Sequence, residues 1–351
     1  MSNEVNVGIV GLGYWGPNLA RNFDALEDCN LRWCCDASPD ALERWARTFP
    51  STRFTTDLSQ LLADEELDAV AVATDVPSHA GLAISVLAAG KHCFVEKPLA
   101  QSVGEARRVT EAAQQAGQVL MVGHLLEYHP GVRKLKEIAD SGELGDVYYI
   151  YSNRLNLGKI RTDENALWSL GAHDASVLLH LFDGERPSEV LAHGESFVRS
   201  GVEDVVFCYL RFPSGRVAHM HLSWLDPHKE RRFTVVGSKR MATFDDMALE
   251  RKLNVYDKGF DPDFHNYGEY ITRSGDVTSP QVLNEEPLRI ECRHFVDCVR
   301  TGATPQSGAA SALRVVEVLE ALQRSLDSGG AVQRLEGAAG SSVARPVRRP
   351  A

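Results

Sequence analysis

The chain predicts an α/β fold in two parts: an N-terminal doubly wound parallel sheet, then an α+β domain on an open, mostly antiparallel mixed sheet. Three observations carry this. The first 125 residues hold five short apolar runs, VNVGIV, LRWCC, AVAVAT, HCFVE and VLMVG, separated by helical segments. Uninterrupted apolar strands alternating with helices are what a sheet buried on both faces requires. A glycine-rich stretch, GLGYWG at 11–16, directly follows the first run. Beyond residue 125 the runs VEDVVFCYLRF, RVAHMHLSWL and RRFTVVGS alternate apolar with polar residues, as strands with one covered face do.

The helices of the first part show their ends. Ser38 precedes Pro39, a proline suited to a first helical turn. Ser78 opens HAGLAISVLAA and Gly90 closes it. Ser102 and Glu105 form a capping box before a helix that ends at Gly117. In the second part Pro130 starts a helix to about residue 139, GELGDV turns the chain into VYYIYSNRLNL, FPSG at 212–215 makes a hairpin turn, and 166–182 is a helix among strands. Two more helices follow, near 289–300 and 309–325. This places the domains at 1–124 and 125–336, with the closing helices free to pack back on the first, and predicts a disordered tail over 337–351.

With 351 residues the chain suits two cores. Its formal net charge is −11, which disfavours general binding to nucleic acid or an anionic membrane. No stretch is long and apolar enough to span a bilayer, and the start lacks a signal-peptide pattern. Seven scattered cysteines without a CxxC pair argue against a disulfide framework or a metal site and for a cytoplasmic location.

GLGYWG has the context of a dinucleotide loop of Rossmann type. Gly11 permits the tight turn, Gly13 lets a pyrophosphate approach the backbone, and Gly16 lets helix pack closely on strand, with Tyr14 and Trp15 between them. The second strand ends at Asp36, where an acid would bind the adenine ribose and repel a 2′-phosphate. NAD is therefore expected in preference to NADP. Ligands of such sheets lie beyond the carboxyl ends of the strands. Thr74, Pro77 and His79 follow strand three, Glu96-Lys97-Pro98 follows strand four, and His124 and Tyr128 follow strand five. His79 reads equally as a cofactor contact or a packing residue. Lys97 reads as an ammonium at the cofactor edge or as a solvated loop lysine.

On the helix at 166–182, Asp174 falls on the apolar stripe of Leu170, Val177, Leu178 and Leu181 beside His173. A carboxylate there needs a partner, so it is either a structural pair or part of an acid–base group. Arg154, Lys159 and Arg161 crowd one segment and could bind a phosphate or carboxylate, or form a solvated basic loop. Asn165 and Trp168 complete the candidate substrate contacts.

Taken together, GLGYWG, AGKHCFVEKPLA at 89–100, GAHDASVLLHLFDG at 171–184 and ECRHFVDCVRTGATPQS at 291–307 resemble the Gfo/Idh/MocA family of oxidoreductases over nearly the whole chain. The resemblance implies a Rossmann domain joined to a C-terminal α/β domain, and a homodimer or homotetramer formed through the C-terminal sheet. It also implies a lysine near the nicotinamide and the sugar at Lys97, and a catalytic histidine at His173. Many members carry an Asp where this chain has Ser169, so a role for that Asp cannot be transferred. The stretch YIYSNRLNLGKIRTDENALWSLGAHD is similar to a subgroup linked to nucleotide sugars, including 3-dehydrogenases of UDP-N-acetylglucosamine and its uronic acid. The expected activity is NAD-dependent oxidation of a secondary alcohol of a sugar, with His173 as base and Lys97 steadying the alcohol oxygen. An inositol or free-sugar dehydrogenase is the second reading. A catalytically silent NAD-binding regulator is the reading from another class.

Overall fold

The structure, a computed structural model, describes residues 4–158, 160, 161, 164–266 and 269–335. The expected tail at 337–351 lies outside them. The described chain forms two compact units, one from residues 4–129 with 284–317 and one from the described residues of 130–283 with 318–335.

The first unit is a six-stranded parallel sheet in the order β3-β2-β1-β4-β5-β6. Its strands are β1 (Val5–Val10), β2 (Cys29–Cys35), β3 (Arg53–Thr55), β4 (Ala69–Val72), β5 (His92–Glu96) and β6 (Leu120–Gly123). The helices between them are α1 (Gly16–Asp24), α2 (Pro39–Ala46), α3 (Leu58–Leu62), α4 (Val76–Ala88) and α5 (Val103–Ala116). The strand order reverses between β1 and β4, the crevice where such sheets bind dinucleotides. Every residue of β4 and β6 is buried, which is why these strands show no polar alternation.

Several helix ends form as their residues dictate. Ser38 accepts a hydrogen bond from the Ala41 N–H, and Gly117 closes α5 with φ 65°. Ser102 accepts from the Glu105 N–H at 3.2 Å, but the Glu105 carboxylate returns to the Gln101 N–H, one residue earlier than a reciprocal box requires. Helix α4 starts at Val76 after Asp75, so Ser78 lies inside the first turn, where its hydroxyl bonds the Asp75 carbonyl at 2.7 Å. β3 is a three-residue strand, too short and polar (RFT) to show as an apolar run.

Helix α8 (Pro287–Thr301) belongs to this first core. Leu288, Cys292, Phe295 and Val296 form its buried stripe, and Phe295 meets Phe23 and Phe94 edge to face with ring centroids 6.2 and 5.7 Å apart. The segment after α8 covers the outer edge of β6: the Ser307 carbonyl accepts from the Val122 N–H at 2.9 Å.

The second unit is a nine-stranded sheet in the order β14-β13-β12-β11-β7-β10-β9-β8-β15. Its strands are β7 (Val147–Leu157), β8 (Glu189–Glu195), β9 (Val205–Arg211), β10 (Val217–Ser223), β11 (Leu225–Gly237), β12 (Met241–Asp245), β13 (Leu253–Asn266), β14 (Glu269–Thr278) and β15 (Gln333–Arg334). Every pairing is antiparallel except β7 with β10. The FPSG turn joins β9 to β10, with the Gly215 N–H bonded to the Phe212 carbonyl at 2.9 Å. Helices α6 (Pro130–Asp140) and α7 (Ala172–Leu181) cover one face, over Ile150, Cys208, Met220 and Val235. The other face carries Tyr149, Phe207, Tyr209 and His219 toward the outside. Helix α9 (Ala309–Asp327) precedes β15.

The expected helix over 166–182 is present but not uniform. Residues Leu167–Gly171 form a π-turn before α7. At Gly171 a β-carbon would lie 2.9 Å from the end of the Leu222 side chain and 3.2 Å from that of Leu167, so a larger residue would have to push these leucines aside.

Candidate active site

The glycine loop is built by one close approach. Gly16 opens α1 with its α-carbon against the Gly11 carbonyl, leaving no room for a β-carbon. Gly11 itself has φ 96°, and a side chain there would meet the Ala73 carbonyl oxygen at 2.6 Å. Gly13, in contrast, faces open space. Helix α1 has no side-chain cap and no acid in its first turn, whereas α2, α3 and α5 are capped by Ser38, Asp57 and Ser102. The Asp36 carboxylate accepts from the Leu12 N–H at 2.6 Å and from the Ser38 N–H at 2.8 Å, which sets it beside the loop. Open backbone at Gly13, an uncapped helix N-terminus and an adjacent acid fit a dinucleotide: pyrophosphate on the loop, ribose at Asp36. Tyr14 is exposed beside this loop.

Beyond β5 the Glu96-Lys97-Pro98 turn is held from several sides. The Glu96 carboxylate accepts from the Lys97 N–H at 3.2 Å and from the Trp15 side chain, and it lies flat over Gly123, where a β-carbon would come within 3.0–3.1 Å of it. The Lys97–Pro98 peptide is cis. His79 is buried, its Nδ1 2.8 Å from the Pro98 carbonyl and its Nε2 3.2 Å from the Thr74 carbonyl. Both ring nitrogens thus face main-chain carbonyls of the same unit. Thr74 shares a 2.7 Å hydroxyl contact with Ser78, and Pro77 is exposed in the first turn of α4. His124 is buried after β6. Burial, and then the positive charge of Lys97, push it down to about 3, so it is neutral. Neither of its nitrogens has a hydrogen-bond partner among the described residues. Tyr128 is buried with its hydroxyl 2.8 Å from the Ser307 hydroxyl, bracing the segment that covers β6.

The second unit organises the His173 segment around a buried ion pair. His173 is half-buried in the first turn of α7. Asp174 is wholly buried and accepts from Arg154 Nε of β7 at 2.6 Å. Arg154 pairs in register with Arg231 on β11, and Arg231 in turn faces Asp246 at 3.7 Å. Burial and then repulsion from Arg154 lower the Arg231 pKa. Arg161 is 3.0 Å from Glu164. Both described arginines of the basic segment therefore have carboxylate partners within the protein, and Lys159 lies outside the described residues. Asn165 donates to Glu203 at 2.6 Å and to Gln323 at 2.9 Å, and the Trp168 indole donates to the same Gln323 oxygen at 3.1 Å. Ser169 is buried in the π-turn. Among the described residues no group of three or more His, Cys, Asp and Glu side chains is placed to hold a metal.

Glu291 and Glu127 are among the buried acids that escaped the sequence reading. Glu291 lies on α8 with no exposed surface, and neither oxygen has a hydrogen-bond partner among the described residues. Glu127, just after β6, is buried with one oxygen 3.4 Å from Gln306 Nε2. Glu291 sits on the same apolar stripe as Leu288, Cys292 and Phe295, so the signal that singled out Asp174 was present there too. Burial drives Glu96 up to about 7 against the opposing Lys97 charge, and Glu127 up to about 8 against Gln306 and Arg314. Burial and the charges of Glu96 and Glu127 raise Glu291 well above its ordinary range. Closely placed buried carboxyls cannot all ionise.

This cluster has a consequence for stability. An unfolded glutamate titrates near roughly 4.3, so above that pH the folded chain binds more protons than the unfolded one. Its contribution is full at low pH and is lost as the pH rises through the folded values near 7 and 8. Glu291→Gln keeps a neutral side chain of the same shape. Thermal melting should show the wild type losing more of its melting temperature than E291Q between pH of about 5.5 and about 8.5. Equal losses would show that Glu291 does not hold its proton through folding.

Known proteins place this geometry in context. Residues 5–124 match the oxidoreductase family with an NAD-binding Rossmann fold, and residues 132–243 match the GFO/IDH/MocA C-terminal domain. The scyllo-inositol 2-dehydrogenase (NAD(+)) of Bacillus subtilis is 26% identical over 95% of this chain and 97% of its own length. The UDP-N-acetylglucosamine 3-dehydrogenase of Acidithiobacillus ferrooxidans is 28% identical over 73% of this chain and 78% of its own. GenD2 from gentamicin A biosynthesis, solved in complex with NAD, superposes with a TM-score of 0.80 at 26% identity, covering 95% of this chain and 97% of that one. Both halves of the family's architecture are present in order: the chain belongs to the Gfo/Idh/MocA family of oxidoreductases.

Proposed function

We propose that this protein is an NAD-dependent dehydrogenase that oxidises a secondary alcohol of a sugar. The observation that carries the reading is the fixed Glu96-Lys97-Pro98 turn, which sits at the carboxyl end of β5 in the unit that holds the glycine loop and Asp36. NAD, held by the glycine loop and Asp36, would supply the acceptor for the hydride of the carbinol carbon. Asp36 holds the adenine ribose diol, and its negative charge disfavours a 2′-phosphate, which supports NAD over NADP. Lys97 supplies a cation that steadies the alcohol oxygen as it loses its proton. The imidazole of His173 takes that proton.

The names of the relatives support a polyol or sugar substrate, and a nucleotide sugar is the leading choice because one relative acts on UDP-N-acetylglucosamine. The pairing of Arg154 with Asp174 and of Arg161 with Glu164 favours a second reading, an inositol or free sugar with no phosphate to bind. Absorbance at the reduced-nicotinamide band, with purified protein, NAD and a panel of UDP-sugars, inositols and free sugars, separates the two. With the active compound, Lys97→Ala and His173→Ala should each lower turnover by about 100-fold or more while NAD still binds. Unchanged turnover in either variant overturns its assignment, and a silent panel with tight NAD binding would favour a regulator.

The uncovered face of the second sheet supports self-association. Phe207 stacks on His221 at 4.4 Å and Tyr149 on Tyr151 at 6.4 Å, and Tyr149 and Phe207 are exposed. The seven buried, unpaired thiols suit a reducing cytoplasm. Sedimentation velocity at micromolar protein should give a dimer or tetramer, and a monomer would overturn assembly through this face.

A further inference from the structure

We propose that His79 is the positioning residue for Lys97: its Nδ1–H donates to the Pro98 carbonyl and so fixes the turn that carries the lysine. The inference deepens the reading of Lys97 given above, but the contact itself is independent of it.

His79 is 1 % exposed, in the first turn of α4 and nineteen residues from its main partner. A buried imidazole is costly unless its polar atoms are met. Here both ring nitrogens face main-chain carbonyls, and those carbonyls belong to the two loops at the carboxyl ends of the neighbouring strands β4 and β5. Pro98 O is one residue beyond Lys97. Thr74 O closes the loop after β4, which Thr74 and Ser78 tie further through their hydroxyls at 2.7 Å. The ring therefore spans the two loops and gives the lysine backbone a support from the helix side. Glu96 gives a second support from the strand side, through the Lys97 N–H.

A neutral imidazole has one N–H and one lone pair, so it can donate to only one of two carbonyls. Burial, the largest influence, disfavours the charged ring that could donate to both and outweighs the opposing pull of the Pro98 and Thr74 carbonyls. The shorter contact, 2.8 Å against 3.2 Å, places the proton on Nδ1, toward Pro98. The longer one then brings Nε2 and the Thr74 carbonyl together without a shared proton. Of the two links, the one to the lysine turn is the bonded one.

This assignment separates two conservative variants. An Asn side chain carries its amide nitrogen at the place of Nδ1, and a Gln side chain carries it at the place of Nε2. His79→Asn can restore the bond to Pro98, whereas His79→Gln can restore only the contact to Thr74. A merely structural histidine would respond to its lost packing in both variants alike.

The readout is the lysine itself. In the full chain with NAD, lysines reductively methylated with ¹³C-formaldehyde give separate ¹³C-methyl NMR signals, and the Lys97 signal is assigned by its loss in Lys97→Arg. In His79→Ala and His79→Gln the Lys97 signal should shift toward the position of the exposed lysines, and in His79→Asn it should stay at the wild-type position. An unmoved signal in His79→Ala, or Asn and Gln variants that behave alike, would overturn the proposal. If His79→Ala does not fold, the comparison of Asn with Gln decides alone. The signal reports where Lys97 is held whether or not it is catalytic. A Lys97→Ala variant with full turnover would therefore refute the catalytic reading while leaving this test standing.

Discussion

One steric contact shapes the first unit: the α-carbon of Gly16 rests on the carbonyl of Gly11. That approach brings the N-terminus of α1 directly over the end of β1, leaves open space at Gly13, and turns the Leu12 N–H toward the end of β2. Asp36 then bonds that N–H, so the acid and the loop form one rigid piece. The backbone donors at this helix end have no side-chain cap, which leaves them free to meet an anion. A side chain at either glycine would separate helix from strand and dismantle all of this at once.

Charge is distributed differently in the two units. In the first, buried carboxyls outnumber buried cations, and burial keeps Glu127 and Glu291 protonated near neutrality. In the second, Asp174 is matched to Arg154 and Asp246 lies near Arg231. A buried pair of this kind is weak evidence for stability, but losing one partner typically costs about 3–5 kcal/mol because it strands the other charge. Asp174 and Arg154 together therefore secure the first turn of α7, the turn that carries His173, rather than leaving a guanidinium for an anionic ligand.

The parts of the fold that are legible in the sequence are those with strong local rules. The buried parallel strands are apolar throughout, Ser38 and Ser102 cap as their side chains predict, and Gly117 closes its helix in the left-handed region. The strands that escaped detection lack such a signal. β3 has three residues, and β13 and β14 form a long, largely polar ribbon held by each other's backbone. Helix α8 reads as amphipathic from its sequence, but its attachment to the first core depends on Phe295 meeting Phe23 and Phe94, more than 190 residues away. The candidate site was legible as residue types and not as partners. Arg154 looked like one of three cations in a row, and only the register of β7 beside β11 and its approach to α7 show that it belongs to Asp174. The π-turn at Leu167–Gly171 could not be read from helical periodicity, since a single wide turn carries no periodicity of its own.

The most direct test of the account is the relative affinity of the purified protein for NAD and NADP by equilibrium binding. With Asp36 locked beside the glycine loop, NAD should bind more tightly by about tenfold or more, about 1.4 kcal/mol. Equal affinity, or tighter binding of NADP, would contradict the placement of the adenosine ribose at Asp36 and with it the geometry from which the rest of the site is built.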